Sequence, residues 1–201
     1  MKSFKIYLKE GNENTYLSLA QDPKSNQRIL QKMLDEKVRE VGFSTRKYYR
    51  GMSSSDPSII DSRKGKYNTA IAGFFTSSPN GADGYARKYS DGVVKLFFLN
   101  VDEESVFNEA DIESIREEIE SEGMNVEDLE GDVTTDNIEF VELLKGMGYN
   151  AIRTEGNFPY DEVAVFSPSQ IKSADPVTYD DQGNIIPLEK RFDSGNNDIR
   201  Y

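Results

Sequence analysis

The segment Gly92–Val101, GVVKLFFLNV, constrains the fold of this chain most. Its β-branched and aromatic residues make it the strongest strand signal present. The other apolar runs are shorter. Lys47–Gly51 carries Tyr48-Tyr49, Ala70–Thr76 reads AIAGFFT, and Tyr149–Arg153 and Val163–Phe166 follow, the last stopped by Ser167-Pro168-Ser169. Ser3–Lys9 alternates Phe4, Ile6 and Leu8 with polar residues, as a short strand or extended arm. Between these runs lie helical patterns. After the break at Asp22-Pro23, Ser25–Val41 places Ile29, Leu30, Met33, Leu34 and Val38 at helical spacing, with Gly42 as its stop. Ser78 as N-cap and Pro79 at the first helical position start a helix running to about Tyr89, with Ala82, Tyr85, Ala86 and Tyr89 on one face. Glu109–Glu122 has Ile112, Ile115 and Ile119 as its apolar stripe. Asp136–Lys145 turns Ile138, Val141 and Leu144 inward, with Asp136 as its N-cap, and Gly146-Met147-Gly148 ends it. Strands and helices do not alternate regularly, which favours an α+β fold over a doubly wound sheet.

A length of 201 residues suits one domain, here 1–173, followed by a tail, 174–201, rich in Pro, Asp, Asn and Gly. The tail reads as extended and weakly ordered. Within the domain, residues 102–135 form an acidic helical insert. From Asp102 to Asp132 there are fourteen acids and one base, Arg116, the pattern of a solvated surface.

Composition removes whole classes of chemistry. The chain has no histidine, hence no Ser-His-Asp triad, no Cys-His pair and no histidine acid–base catalysis. It has no cysteine, hence no disulfide and no thiolate nucleophile or metal ligand. No metal site is expected. Carboxylate, Arg, Lys, Tyr, Ser and Thr remain. The net charge of −12 disfavours nonspecific binding to nucleic acid or anionic lipid. No apolar run approaches the ~20 residues of a membrane span, and the start, MKSFKIYLKEGNENT, lacks a signal-peptide apolar region. The chain reads as soluble, cytoplasmic and monomeric, without membrane partners. Neither GxGxxG nor GxxxxGK[ST] occurs, so no Rossmann or P-loop phosphate cradle is present.

Three segments set polar side chains at the ends of aromatic strands. In Tyr48-Tyr49-Arg50-Gly51, an arginine is a plausible anion anchor, and the glycine lets a ligand approach the backbone. In Gly73-Phe74-Phe75-Thr76-Ser77-Ser78, the strand runs into the helix carrying Ala82, Tyr85 and Ala86. In Tyr160-Asp161-Glu162, an acid opens the apolar strand Val163–Phe166, with backbone rigidity behind it and room for its side chain to face a cleft. Alone, each segment reads first as surface or core structure.

In this order, the three resemble the motifs of the ADP-ribosyltransferase superfamily. Tyr49-Arg50-Gly51 is similar to the first motif in its Arg form. Phe75-Thr76-Ser77-Ser78 with Ala82 and Tyr85-Ala86 is similar to the second. Glu162-Val163-Ala164-Val165-Phe166, with Gln170-Ile171, is similar to the catalytic-glutamate strand. The ending QIKSADPVTYDDQGNIIPLEKRFDSGNNDIRY, and Leu17–Gly42 followed by YYRG, resemble the ADP-ribosyltransferase modules of phage and prophage polyvalent proteins.

The resemblance implies a split β-sheet of short strands with flanking helices. It implies cleavage of the nicotinamide–ribose bond of NAD, with NAD as substrate and no metal, and transfer of ADP-ribose to a macromolecule of the host. The net charge favours a protein acceptor over nucleic acid. Glu162 takes the catalytic role, stabilising the oxocarbenium-like ribose; Glu155 is its rival. Arg50 holds a phosphate or ribose oxygen, and the Gly51 backbone meets the nicotinamide amide. Phe75 and Tyr85 belong to the NAD site, with Tyr85 stacking on the nicotinamide. Thr76 or Ser77 positions Glu162 or the ribose, and the middle-motif hydroxyl is one of Thr76, Ser77 and Ser78. Position 160, two before Glu162, is Tyr rather than a second acid, so an arginine acceptor is less favoured. Two other readings stand beside transfer: NAD hydrolysis, and a non-catalytic interaction module that keeps the fold.

Overall fold

The structure is a computed structural model that describes residues 12–56, 58–64, 69–129, 133–154 and 161–201. The anticipated strand at Ser3–Lys9 lies outside the described residues.

Two helices come first, α1 (Asn12–Leu19) and α2 (Pro23–Glu40). Pro23 is not a break but the first residue of α2: it needs no N–H partner there, and the Asp22 side chain accepts the Ser25 N–H at 3.3 Å. Leu30, Met33, Leu34 and Val38 form the buried stripe, while Ile29 is exposed. The helix stops where Gly42 takes φ +79°, letting the Phe43 N–H reach back to the Val38 carbonyl at 3.1 Å.

The strands are β1 (Lys47–Ser53), β2 (Gly73–Thr76), β3 (Gly92–Leu99), β4 (Val106–Asn108), β5 (Ala151–Thr154), β6 (Glu162–Val165) and β7 (Ile171–Ser173). Four short α-helices complete the set among the described residues: α3 (Pro79–Ala86), α4 (Arg116–Ser121), α5 (Val133–Asp136) and α6 (Ile138–Gly146). The strands form one seven-stranded sheet in the order β4-β5-β6-β2-β1-β3-β7. All neighbours are antiparallel except β4 and β5. The sheet is nearly severed in the middle: β1 and β2 share one register pair, Tyr49 opposite Thr76. The fold is thus α+β, a split sheet of short strands with flanking helices, as the resemblance implies.

Three apolar clusters hold it. One lies against the sheet at the split, with Tyr48, Met52, Phe75, Phe97, Val163 and Val165 buried together. A second packs Phe140, Val141 and Leu144 of α6 against Ile152 and Ala164. The third seats α1 and α2 on Phe98 and Phe192.

Several elements differ from the sequence reading. The second strand holds only Gly73–Thr76, and the helix after it ends at Ala86 rather than near Tyr89. The N-cap of α6 is Asn137, whose side chain accepts the Phe140 N–H at 3.0 Å, and not Asp136. Ile138 then begins the helix on its outer side at 57% exposure, and Phe140 turns inward with Val141 and Leu144. The acidic stretch is a 3-10 turn, Glu109–Ile115, running into α4. Ile115 and Ile119 are buried as the stripe requires, and the stretch also supplies β4 and the buried Phe107. Its single base, Arg116, pairs with Glu113, Glu120 and Glu127.

The last 28 residues overturn the expectation of a weakly ordered tail. They contain little regular structure, yet Ile186, Leu188, Arg191, Phe192 and Ile199 are buried. Two buried cations fasten them. Lys172 Nζ donates to the carbonyls of Asn196 (2.7 Å) and Asp198 (3.2 Å). Arg191 donates to those of Ser173 (2.9 Å) and Pro176 (3.2 Å), the latter also accepting from the Tyr16 hydroxyl. Polar groups removed from water need such partners, so the carbonyls and cations hold one another in place.

Candidate active site

The site lies where the sheet divides. In an antiparallel sheet, residues directly opposite one another point to the same face. Tyr49 on β1 faces Thr76 on β2, Thr76 faces Glu162 on β6, and Glu162 faces Thr154 on β5. One row across four strands therefore collects side chains from three distant segments of the chain. Tyr49, Thr76 and Glu162 of this row line a cleft closed on the other side by Ala82 and Tyr85 of α3 and by Tyr89 just beyond it. Arg50, Gly51, Phe74 and Phe75 complete the lining. The cleft measures about 130 Å³. That is the scale of a cavity admitting one benzene-sized ring, and smaller than the roughly 300–1,000 Å³ of a complete ligand pocket. It suits one ring of a larger molecule whose remainder lies across the mouth.

Glu162 is 8% exposed, a carboxylate withdrawn from bulk water at the first position of its strand. Beside it, Thr76 is buried, and its Oγ1 accepts the Ser78 N–H at 3.1 Å. The three hydroxyls of the middle motif thus have different settings. Thr76 lines the cleft, and Ser78 caps α3 by accepting the Gly81 N–H at 3.4 Å. Ser77 is half-buried and is not among the described residues lining the cleft. Glu155 lies outside the described residues, as does Tyr160.

Arg50 leans across the split. Its Nη1 donates to the Phe74 carbonyl at 2.8 Å, and its guanidinium carbon lies 5.5 Å from the centre of the Phe75 ring. That ring is itself buried edge-on against Phe97, so Phe75 supports Arg50 from below while Phe74 is the more exposed of the two phenylalanines. Among the described residues, Arg50 Nε is buried with no hydrogen-bond partner. Burial pushes the guanidinium down from its usual value, opposed by Tyr89, Asp56 and Tyr85. A desolvated cation with an unspent donor favours an anion arriving from the cleft.

Gly51 serves the backbone. A Cβ there would stand 2.0 Å from the Ala82 carbonyl oxygen and 2.4 Å from the Ala86 amide nitrogen. Gly92 on the neighbouring strand meets the Ala86 carbonyl oxygen in the same way, at 1.9 Å. The two glycines let α3 lie directly on the sheet, and this close seat brings Tyr85 to the cleft. The Lys88 ammonium covers the Tyr85 ring at 4.4 Å.

The cleft therefore gathers Arg50, Gly51, Phe75, Thr76, Tyr85 and Glu162. Sequence reasoning did not single out Tyr49, Phe74 and Tyr89 as site residues; the last carried a signal, one helical turn after Tyr85. Gly73 was missed as well. A Cβ at Gly73 would stand 2.9 Å from Arg50 Nη1, so its absence makes room for the arginine. Chemically, the arrangement offers an anion anchor, aromatic walls for a flat ring, and a sheltered carboxylate beside a hydroxyl. Among the described residues, no cluster of His, Cys, Asp or Glu suits a metal ion.

The family model described as ADP-ribosyltransferase in polyvalent proteins matches residues 44–179. No curated protein and no solved structure matches the chain. The matched stretch covers most of the chain and contains every residue lining the cleft, and the chain belongs to this ADP-ribosyltransferase family.

Proposed function

From membership of this family, whose substrate is NAD, we propose that the chain is a mono-ADP-ribosyltransferase of phage or prophage origin, modifying a host protein. What supports this reading is the row Tyr49–Thr76–Glu162 beside Arg50, which assembles all three motifs in one cleft. The nicotinamide ring enters the cleft, between Tyr85 and Phe74. Arg50 Nε and the rest of its guanidinium take an oxygen of the pyrophosphate or ribose. As the C1′–N bond breaks, its electron pair leaves with neutral nicotinamide, and positive charge develops on the ribose. Glu162 stabilises that charge. The acceptor nucleophile then bonds to C1′ and loses its proton, with Glu162 as the base within the cleft. Thr76 is the hydroxyl that orients Glu162 or the ribose. The net charge of −12 favours a protein acceptor over a polyphosphate. We place its action in the cytoplasm, as a monomer; among the described residues no helix is long and apolar enough to cross a membrane.

Incubation of the folded chain with labelled NAD and host lysate tests the reading. Nicotinamide release and label on a protein band are expected, and Glu162→Gln should lower both by about 10²–10⁴-fold with the fold intact. A folded wild-type chain that releases no nicotinamide refutes it. Free ADP-ribose without labelled protein makes water the acceptor, and near-normal activity of Glu162→Gln moves the catalytic role to Glu155.

A further inference from the structure

The guanidinium of Arg50 is held from several directions at once. Phe74 accepts from it, Phe75 lies beneath it, and Gly73 leaves it room. The space at Gly73 is shared with Ile60, whose Cγ2 would stand 3.2 Å from a Cβ there. Ile60 belongs to the segment 58–64, which is tied to the start of β2 by the Ser62 N–H donating to the Ala72 carbonyl at 2.7 Å.

The other side of this segment is gripped by residues far along the chain. The Ile199 N–H donates to the Ser58 carbonyl at 2.9 Å, and the Ile199 carbonyl accepts the Ser173 N–H at 2.7 Å. Asp198 precedes Ile199, and its carboxylate accepts the Arg200 backbone N–H at 2.9 Å. Arg200 holds that carboxylate through Nε at 3.0 Å and Nη2 at 2.7 Å, and Lys172 binds the Asp198 carbonyl. The Ile199 side chain is 8% exposed and joins Ile60, Met52 and Phe75 in one buried cluster.

We infer that Asp198-Ile199-Arg200 is a clasp on the 58–64 segment that holds Ile60 against Gly73 and so positions Arg50 for its ligand. Ile199 is a positioning residue, acting through Ile60, and the part of this inference that concerns substrate rests on Arg50 being the NAD anchor. The clasp lies outside the stretch matched by the family model. It contributes no group to the cleft. Its effect is to limit the positions Arg50 can take, and small displacements of a binding group cost heavily in affinity.

Ile199→Ala tests this against Leu188→Ala. Leu188 is equally buried in the same tail, but it packs in the α1–α2 cluster. Both truncations lower stability; only the first loosens the clasp. Amide exchange at Ser62 is expected to quicken about 10-fold in Ile199→Ala and to stay near wild type in Leu188→Ala. At a temperature where both are folded, the KM for NAD should rise about fivefold in Ile199→Ala with kcat nearly unchanged, and stay put in Leu188→Ala. If Ile199→Ala fails to fold, Ile199→Val, lacking one methyl, is read by the same two measurements with smaller effects in the same direction. Unchanged Ser62 exchange in the folded variant, or equal changes in both variants, overturns the clasp. A wild-type chain inert toward NAD overturns the functional reading instead, and the exchange measurement still decides the clasp.

Discussion

The seat of α3 on the sheet permits a sharp test, because a glycine beneath the helix and a glycine within it should respond oppositely to alanine. At Gly51 the added Cβ would stand 2.0 Å from the Ala82 carbonyl oxygen, 2.4 Å from the Ala86 nitrogen and 2.9 Å from the Tyr85 Cβ. Carbon atoms settle at about 3.5–4.0 Å, so α3 must retreat by roughly 1.5 Å. The two closest atoms are backbone and cannot swing aside. Ala82 and Ala86, now buried, lose their contacts with the strand. Overpacking of ordinary cores costs about 1–3 kcal/mol, occasionally more, and here the upper end applies: about 3 kcal/mol. In a chain of this size that lowers Tm by about 6–12 °C. Gly84 lies within α3 with open space around its Cβ position. Alanine there only restricts the unfolded chain and should stabilise by about 0.5–1 kcal/mol. Urea unfolding of each single variant and of the pair measures both terms, and the pair should still lose about 2 kcal/mol. Because Tyr85 travels with the helix, Gly51→Ala should also weaken NAD binding, while Gly84→Ala leaves it intact. A Gly51→Ala variant within about 1 kcal/mol of wild type would refute the argument, since the helix could then be seated without the glycine.

Two further outcomes concern the half-buried Arg50 and the buried Lys172. Arg50→Lys keeps the charge but lacks Nε and the fork that reaches the Phe74 carbonyl, so NAD affinity, measured by calorimetry, should fall about 10- to 100-fold; unchanged affinity would separate the arginine from the ligand. Lys172 is held down from 10.5 to about 8 by burial, with Asp193 and Asp198 opposing. Below pH 8 it is charged in folded and unfolded chains alike, and the burial penalty is felt in full. Between pH 8 and 10 the folded chain sheds the proton while the unfolded chain keeps it, so stability relative to Lys172→Met should rise with pH. Residual hydration limits that gain to about 1–2 kcal/mol. A difference that is flat or falls across this window, in urea titrations at pH 7, 8, 9 and 10, would contradict the burial of an ammonium at this position.

The legible part of the fold is the part written in short-range pattern. Leu30, Met33, Leu34 and Val38 of α2, the strand begun at Gly92, the cap at Ser78 and the inward Val141 and Leu144 rest on contacts within one or two turns or on strong strand composition, and these stand, although Ile29 is exposed and the strand stops at Leu99 rather than Val101. β4 and β7, three residues each, were not legible. Segments so short become strands only by pairing, β4 with β5 and β7 with β3, and no local preference records a distant partner. The tail failed for a related reason. Its Pro, Asp, Asn and Gly content signals irregular backbone, which it has, but Lys172 and Arg191 supply the partners that bury it.

The site divides along the same line. Arg50, Gly51, Thr76, Tyr85 and Glu162 could be named from residue types at strand and helix ends, because chemistry of this kind needs a cation, a close backbone, a hydroxyl, a ring and an acid. That Thr76 rather than Ser77 meets the cleft depends on which residue stands opposite Tyr49 and Glu162, and register between strands far apart in the chain is not written in either strand. That Gly51 is also the seat of a helix, that Gly73 houses a guanidinium, and that Ile199 reaches the loop beside it all arise from packing across the split sheet. Residue chemistry specifies which groups a site requires; only the close approach of remote segments specifies which of several similar groups performs each task.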